Sequence, residues 1–223
     1  MNAMILAAGR GERMRPLSDR CPKPLLRVGG QTLLDWHLAR LDAAGFDRVV
    51  INTAWLGDMI RDHVARQAPA GLDVRLSDEG ERGLETAGGI VRALPLLGPD
   101  PFAVINGDVW SDFDPAWLPA RPEGLGYLVL VDNPDHHPGG DFRFDGHAVL
   151  PDSANTPRYT FAGIACYHPE LFAGVSPDVV PLAPILRRAC ERRQLTGFHH
   201  EGQWCDVGTP ARLAALDMHL SRR

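Results

Sequence analysis

A glycine-rich turn with several cations follows the first apolar run of the chain. Met4–Ala7 is apolar, Gly9 and Gly11 come soon after it, and Arg13 and Lys23 follow. Because glycine has no side chain, the backbone can curve sharply here and its N–H groups can converge on an anion. The two cationic side chains add full positive charge to those partial charges. This combination predicts a loop that binds phosphate groups.

The spacing of the glycines separates this loop from two common phosphate-binding motifs. The third glycine of a G-x-G-x-x-G dinucleotide fingerprint falls at Met14, and the G-K-[ST] of a Walker A loop is missing. We expect Ala8, Glu12 and Arg13, together with the two glycines, to bind the phosphates of a nucleotide. An ordinary turn is the alternative. We call Ala8–Arg13 the phosphate loop.

A carboxylate follows a short buried strand further along the chain. Phe102–Asn106 is apolar until its last residue, and Asp108 follows after one glycine. The end of a strand places Asp108 at the same sheet edge as the phosphate loop. A carboxylate that faces phosphates is repelled unless a cation bridges them, and Mg²⁺ is commonly shared between carboxylates and phosphates. We therefore predict Mg²⁺ as a cofactor with Asp108 as a ligand; a surface carboxylate in a turn is the alternative.

A second glycine-rich segment leads into a predicted helix. Glu85, Thr86 and Gly88 precede the apolar residues Ile90 and Leu94. The start of a helix offers free backbone N–H groups, and glycine permits close approach of a ligand. Glu85 can accept hydrogen bonds from a ligand or cap the helix, and Thr86 is a suitable N-cap. The segment therefore predicts ligand binding, helix capping, or both.

The opening motif resembles that of the sugar-1-phosphate nucleotidyltransferases. Their pattern is similar to L-A-A-G-x-G-x-R-x-x-P-L followed by P-K-P, which Leu6–Leu17 and Pro22–Pro24 match. The family's L-G-T-A-G, G-D and W-x-D-x-G-T elements resemble Leu84–Gly88, Gly107–Asp108 and Trp204–Thr209. The resemblance covers nearly the whole chain.

The resemblance implies transfer of a nucleotidyl group from a nucleoside triphosphate to a sugar 1-phosphate, with release of pyrophosphate. It implies that Arg13 and Lys23 act on the phosphates and that Asp206 joins Asp108 on Mg²⁺; a helix-capping carboxylate is the alternative for Asp206. The implied nucleotide-binding residues are Ala8, Gly9, Gly11, Glu12, Arg13, Lys23, Glu85, Thr86 and Gly88. The implied sugar-binding residues are Asn106, Asp141, Gly163 and Asp206.

Two segments depart from the family pattern. Glu85 stands where a glycine is common, and residues 153–158 lack the Glu-Lys-Pro with which many relatives hold the sugar phosphate. Arg158 is a candidate replacement for the missing lysine. His136 and His137 lie in an acidic loop, which we interpret as a lid over the sugar. A separate metal site is the less favoured alternative, because neighbouring histidines rarely suit one ion.

Strand and helix patterns alternate along the chain and must position these residues. Strand patterns lie at 4–7, 48–52, 72–76, 102–106, 126–131 and 159–167, and helical patterns at 33–41, 56–64, 90–94, 182–189 and 213–220. Such alternation predicts an α/β fold whose ligands bind beyond the carboxyl ends of the strands. With the resemblance, it predicts one domain over 1–223, a Rossmann-like three-layer sandwich with a mostly parallel mixed sheet, as in the GT-A-like nucleotidyltransferase fold. Gly163 marks a sugar contact or a bulge in its strand.

The composition limits the class of protein and its partners. The 223 residues carry a formal net charge of -5, which disfavours nucleic-acid binding because that requires a basic surface. Cys21, Cys166, Cys190 and Cys205 are widely spaced, which predicts free thiols rather than disulfides or zinc ligands. The sequence shows no signal peptide and no apolar run of membrane-spanning length, so we expect a cytoplasmic protein without a membrane partner. The oligomeric state is not predicted.

The choice of nucleotide and sugar depends on finer similarities. The short length and the segments Leu84–Ile90 and Val131–Pro134 are most similar to small uridylyltransferases of bacterial cell-wall recycling, which implies UTP as the nucleotide. The alternatives are a guanylyltransferase for mannose 1-phosphate, a cytidylyltransferase for phosphocholine, and a non-catalytic regulator that binds nucleotide sugars. All four proposed catalytic residues are present, which favours an enzyme over the regulator.

Overall fold

The computed structural model describes residues 1–222, in which helices and strands alternate. The strands are β1 (Asn2–Leu6), β2 (Arg27–Val28), β3 (Gln31–Thr32), β4 (Arg48–Thr53), β5 (Asp73–Asp78), β6 (Phe102–Asn106), β7 (Val109–Ser111), β8 (Gly126–Val131), β9 (Phe142–Phe144), β10 (Val149–Leu150), β11 (Arg158–Tyr167), β12 (Leu195–His199) and β13 (Trp204–Asp206). The α-helices are α1 (Leu33–Ala43), α2 (Gly57–Gln67), α3 (Glu85–Leu97), α4 (Ala183–Glu191) and α5 (Pro210–Leu220). Among these helices of residues 1–222, none is long and apolar enough to cross a lipid bilayer.

The central sheet joins a parallel part to an antiparallel part. β5, β4, β1 and β6 lie side by side in parallel, and β11 pairs antiparallel with the outer edge of β6. β11 also pairs with β8 and β9, and β12 runs parallel to β8. The hairpin of β2 with β3 and the ribbon of β7 with β13 lie outside this sheet. The mixed sheet confirms the predicted α/β fold class.

Successive residues of the central strands face two separate hydrophobic cores. Met4 of β1 packs in one core with Ile90 of α3, whereas Ile5 packs in the other with Leu38 of α1 and Ile60 of α2. A strand that is covered by helices on both faces must be apolar at successive positions, which explains the unbroken apolar run of β1. The helices on the two faces complete the three predicted layers.

A third, smaller core joins the phosphate-loop region to the last helix. Met14 and Val28 pack there with Trp110 of β7, Val207 and Leu216 of α5. Met14 directly follows the phosphate loop, and Val207 directly follows β13. This core therefore holds the phosphate loop, the ribbon of β7 with β13, and α5 together beside the parallel strands.

The structure decides two local predictions, the N-cap of α3 and the role of Gly163. α3 begins at Glu85, with Leu84 before it and no side-chain cap, so Thr86 lies inside the first turn and its prediction as the N-cap is wrong. In β11, the pairing register shifts between Phe161 and Ala165, where Gly163 has a φ of +71°. Gly163 therefore forms the bulge that was one of its two predicted roles.

The cysteines are free thiols, as the sequence predicts. Burial raises the pKa of Cys166 to about 12. It also raises the pKa of Cys205, beside the candidate metal ligand Asp206, to about 11. Thiols with such pKa values remain protonated and unreactive near neutral pH.

Candidate active site

An open cleft lies at the carboxyl ends of the parallel strands and has a cavity volume of about 510 Å³. Its lining comes from residues that follow β1, β4, β5 and β6 and from the start of α3. The predicted site residues in the lining are Ala8, Gly9, Lys23, Glu85, Thr86, Asn106 and Asp108. Those outside the lining are Gly11, Glu12, Arg13, Gly88, Asp141, Gly163 and Asp206. The structure thus brings the phosphate loop, the start of α3 and the first acid to one cleft.

The two glycines of the phosphate loop have different structural roles. A Cβ at Gly9 would meet no heavy atom within 4 Å, so this part of the backbone is open to a ligand. Gly11 has a φ of +67°, and a Cβ there would lie 2.8 Å from Cγ of Lys23. Gly11 therefore shapes the turn and leaves room for the Lys23 side chain to reach the cleft. The Ser18 hydroxyl fixes the turn by donating to the Gly11 carbonyl at 2.8 Å.

Two arginines of the loop region take different positions. Glu12 and Arg13 belong to a short 3₁₀ helix after the turn, and both are exposed outside the lining. Arg10, which the sequence analysis did not select, lines the cleft with its guanidinium carbon 4.6 Å from the ring centre of Trp55. The Trp55 indole is held by a hydrogen bond that it donates to the Ser18 carbonyl at 3.0 Å. A cation on an aromatic ring therefore forms part of the wall near the phosphate loop.

Lys23 and Asp108 form a salt bridge at the floor of the cleft. Their side chains are 16% and 28% exposed, so the pair is partly shielded from water. The contact joins the cationic loop region to the end of β6, which the sequence predicted would lie at the same edge. Lys23 can therefore reach both an anionic ligand in the cleft and the proposed metal ligand.

The ribbon of β7 with β13 brings the second acid next to the first. Asp206 lies opposite Val109 in the antiparallel register, and the N–H of Val207 donates to the Asp108 carbonyl at 2.7 Å. Oδ1 of Asp206 lies 3.0 Å from Nε2 of His136 and 3.2 Å from Nη1 of Arg212. Although both nitrogens lie this close, the buried Oδ1 accepts no hydrogen bond from residues 1–222.

The two acids fit a magnesium ion by donor chemistry. Both offer hard carboxylate oxygens, and Asp206 of β13 lies opposite Val109, the residue that directly follows Asp108. Within residues 1–222, Oδ1 of Asp206 accepts no hydrogen bond. Among residues 1–222, no cluster of three or more acidic, histidine or cysteine side chains could enclose a metal. Mg²⁺ typically takes one or two carboxylates and completes its shell with water and substrate phosphates. Asp108 and Asp206 are therefore the residues that could hold it.

His37 lies on α1, near enough to Asp108 to feel its charge, and is 7% exposed. Burial, with a smaller contribution from the charge of Arg40, lowers its pKa to about 4, although Asp108 acts in the opposite direction. Its Nε2 is buried and has no hydrogen-bond partner in the described part of the chain, residues 1–222. His37 is therefore a neutral core side chain near neutral pH.

The residues predicted to bind the sugar divide into two groups. A Cβ at Gly163 would lie 2.5 Å from Nδ2 of Asn106, so the bulge makes room for the Asn106 side chain at the cleft. Asp141 instead holds its own loop. Its Oδ2 accepts from the Phe161 N–H at 2.8 Å, and its Oδ1 lies 3.1 Å from Nε2 of His137. Asn106 is therefore placed toward a ligand, and Asp141 is engaged within the protein.

Arg158 is also engaged within the protein. Its Nε donates to the Gly139 carbonyl at 2.8 Å, its Nη2 donates to the Gly140 carbonyl at 3.1 Å, and its Nη1 pairs with Asp152. Since each guanidinium nitrogen has a protein partner, Arg158 is not placed to replace the missing lysine. It holds the loop of residues 132–141, whose His136 contacts Asp206.

The start of α3 combines one ligand-facing residue with one packed glycine. Glu85 is exposed in the cleft lining and has a φ of +60°, a conformation that favours glycine. Glycine would therefore fit the backbone at this position without strain. Gly88 is buried, and a Cβ there would lie 1.8 Å from the Asp178 carbonyl oxygen. Packing against the backbone thus accounts for Gly88.

The sequence analysis missed a buried pair in the lining, Asn52 and Glu79. Asn52 is the second-last residue of β4, and Asn106 is the last residue of β6. A polar residue at the end of an otherwise apolar strand was the available signal. Glu79 directly follows β5 and carries no such signal, because nothing in the sequence shows that it is buried.

Comparison with known proteins identifies the family. Residues 2–126 match the family described as nucleotidyl transferase. An N-acetylmuramate alpha-1-phosphate uridylyltransferase from Neisseria meningitidis serogroup B is 49% identical over 96% of this chain and 95% of its own length. A protein of the same name from Caulobacter vibrioides is 35% identical over 96% of this chain and 94% of its own. The chain therefore belongs to the nucleotidyl transferase family, and the family predicted from the opening motif is confirmed.

The fold agrees with solved structures of this class. A crystal structure of a Bacillus anthracis protein assigned as a glucose-1-phosphate thymidylyltransferase superposes with a TM-score of 0.84, covering 100% of this chain and 96% of that one. Because the two are only 20% identical, this likeness concerns the fold. The chain is a nucleotidyltransferase enzyme with the predicted GT-A-like architecture.

Proposed function

We propose that this enzyme transfers a uridylyl group from UTP to N-acetylmuramate α-1-phosphate and releases pyrophosphate. The observation that carries the proposal is the 49% identity to an N-acetylmuramate alpha-1-phosphate uridylyltransferase over 95% of that relative's length. N-acetylmuramate is a sugar of peptidoglycan, so the product suits cell-wall recycling. The use of a nucleoside triphosphate supports a cytoplasmic site of action.

The proposed chemistry uses both sides of the cleft. An oxygen of the sugar phosphate attacks the α-phosphorus of UTP in line, the new P–O bond forms, and the bond to the pyrophosphate oxygen breaks. The attacking phosphate is already ionised, so no general base is required. The N–H groups around Gly9 and the charges of Arg13 and Lys23 would stabilise the negative charge on the triphosphate and at the reacting centre.

We propose Mg²⁺ as the cofactor, held by Asp108 and Asp206. The ion would supply charge stabilisation and orientation for the phosphate oxygens. The exposed position of Arg13, at the end of the phosphate loop, supports contact with the outer phosphates. Lys23 is proposed to contact the phosphates next to the metal ion, because its salt bridge with Asp108 holds its ammonium group beside a proposed metal ligand.

The proposed ligand contacts follow the cleft lining. Ala8 and Gly9 supply backbone to the triphosphate, Glu85 and Thr86 face the nucleoside, and Asn106 faces the sugar. The absence of Glu-Lys-Pro from residues 153–158 supports a sugar that differs from the usual hexoses. The loop of residues 132–141 is proposed as the lid, because its His136 already contacts Asp206.

The test is pyrophosphate release from pairs of substrates with Mg²⁺. UTP, GTP and CTP are each combined with N-acetylmuramate 1-phosphate, N-acetylglucosamine 1-phosphate, mannose 1-phosphate and phosphocholine. We expect the highest kcat/KM with UTP and N-acetylmuramate 1-phosphate. Turnover of GTP with mannose 1-phosphate alone, or of CTP with phosphocholine alone, would contradict the proposal. Binding without turnover for every pair would instead indicate a regulator.

A further inference from the structure

A buried carboxylate and a buried amide connect two walls of the cleft. Glu79 is 7% exposed and Asn52 is 3% exposed. Nδ2 of Asn52 donates to Oε1 of Glu79 at 2.7 Å, and the backbone N–H of Leu84 donates to Oε2 of Glu79 at 2.7 Å. A carboxylate is tolerated in such surroundings only when its oxygens accept hydrogen bonds. Both oxygens of Glu79 do so, and the second bond reaches the residue just before α3.

The same connection extends to the phosphate loop. Oδ1 of Asn52 accepts from the backbone N–H of Ala7, directly before the loop, at 2.6 Å. The orientation of the amide is settled by its partners, because Ala7 presents a donor and Glu79 presents acceptors. A continuous chain of hydrogen bonds therefore runs from Ala7 through Asn52 and Glu79 to Leu84.

The neighbouring backbone is built around this connection. A Cβ at Gly89 would lie 2.3 Å from Oε1 of Glu79, so a side chain there would displace the carboxylate. Leu84 is also held from its other side, because its carbonyl accepts from the Val180 N–H at 3.0 Å. The next residue, Glu85, has the left-handed φ of +60°. Such a conformation persists when the surrounding structure holds it in place.

We infer that Asn52 and Glu79 are positioning residues that set the separation between the phosphate loop and the start of α3. The inference rests on the proposed nucleotide site and goes beyond it, because neither side chain has to touch the ligand. A nucleotide that spans both walls makes phosphate contacts at one and nucleoside contacts at the other. A change in the separation of the two walls weakens nucleotide binding even when every residue that contacts the nucleotide is retained.

Exchanging the amide of Asn52 and the carboxylate of Glu79 between the two positions tests the inference. Glu79→Gln brings an amide donor against the donors of Asn52 or Leu84, and Asn52→Asp brings two carboxylates together. The double variant N52D/E79Q restores every hydrogen bond. The carboxylate at position 52 accepts from the Ala7 N–H and from the amide at position 79. The oxygen of that amide accepts from the Leu84 N–H. The double variant also keeps the net charge of the wild type.

The measurement is the dissociation constant of UTP with Mg²⁺ by calorimetry, with thermal unfolding to show that each protein is folded. We expect each single variant to bind about tenfold or more weakly, the effect of losing one buried hydrogen bond to a charged group. We expect the double variant to bind within about threefold of the wild type, because the coupled pair is restored. As a control, Asn2→Asp removes a hydrogen bond from Asn2 Nδ2 to the Leu97 carbonyl at the opposite end of β1, and UTP binding should not change.

Single variants with the wild-type dissociation constant would overturn the inference, as would a folded double variant that binds no better than the single variants. If a single variant does not fold, the double variant decides: wild-type binding supports the inference, and binding about tenfold weaker overturns it. If the wild type binds no nucleoside triphosphate, the proposed function has failed, and hydrogen exchange of the Leu84 amide becomes the readout. Exchange should be faster in the single variants than in the wild type and slow again in N52D/E79Q; equal exchange in all four proteins would overturn the inference.

Discussion

The left-handed backbone of Glu85 leads to a quantitative prediction about stability. At a φ of +60°, a residue with a Cβ is disfavoured by roughly 1–2 kcal/mol, whereas glycine is not. Glycine also makes the unfolded chain more flexible, which offsets about 0.4–1 kcal/mol of that gain. We expect Glu85→Gly to be more stable than Glu85→Ala by about 1 kcal/mol. Alanine is the correct reference because both variants lose the carboxylate at the start of α3.

Urea unfolding of the two variants and the wild type measures this difference. A change of 1 kcal/mol corresponds to about 2–4 °C in the melting temperature of a domain of this size, so thermal unfolding provides a second readout. If the carboxylate contacts substrate, Glu85→Gly should lose turnover as Glu85→Ala does, even though it is the more stable of the two variants. An alanine variant as stable as the glycine variant would refute the argument that the backbone at Glu85 is strained.

Other side chains lead to separate predictions. Asp108→Asn and Asp206→Asn should each nearly abolish Mg²⁺-dependent pyrophosphate release in a folded protein; wild-type turnover in either would remove that residue from the proposed metal site. The pKa of His37 is about 4 in the folded protein against 6.5 normally, so its stabilising contribution is present above pH 6.5 and is lost as pH falls toward 4. The loss is about 3 kcal/mol, and His37→Asn should flatten the free energy of urea unfolding over that range; an unchanged slope would contradict it. Gly88→Ala should lower the unfolding free energy by about 1–3 kcal/mol or more through overpacking, whereas Gly139→Ala, with no atom within 4 Å of its Cβ, should melt like the wild type.

The positions along the sheet edge that the sequence predicted correctly are encoded locally. β6 is a short apolar run that ends in Asn106, and the apolar run in β1 continues to Ala8 before Gly9. A buried parallel strand requires such an apolar run whatever its partners are. The position of Asp108 at the cleft follows from the end of β6 alone. The same reasoning predicted that the loop after β1 would lie at this edge, and Gly9 does line the cleft.

The predictions that were wrong or incomplete depend on distant partners. Thr86 is a good N-cap by residue type, but Glu79 and Val180 both bind the backbone of Leu84, and α3 begins two residues earlier than an N-cap at Thr86 would place it. Arg158 has the right charge to replace a lysine, yet its guanidinium is held by backbone carbonyls of a loop that precedes it by many residues. Spacing along the chain contains no information about such contacts, since they form only when the sheet is assembled.

The third core links the cleft to a helix that contributes nothing to its lining among residues 1–222. Met14 follows the phosphate loop, Val207 follows Asp206, and both pack with Leu216 of α5. A ligand that binds only the assembled cleft stabilises the closed state. It therefore raises the free energy of every local unfolding event in which the cleft comes apart, including the unfolding of α5. Nucleotide should therefore slow hydrogen exchange along α5, and this distant helix would report whether the cleft is occupied.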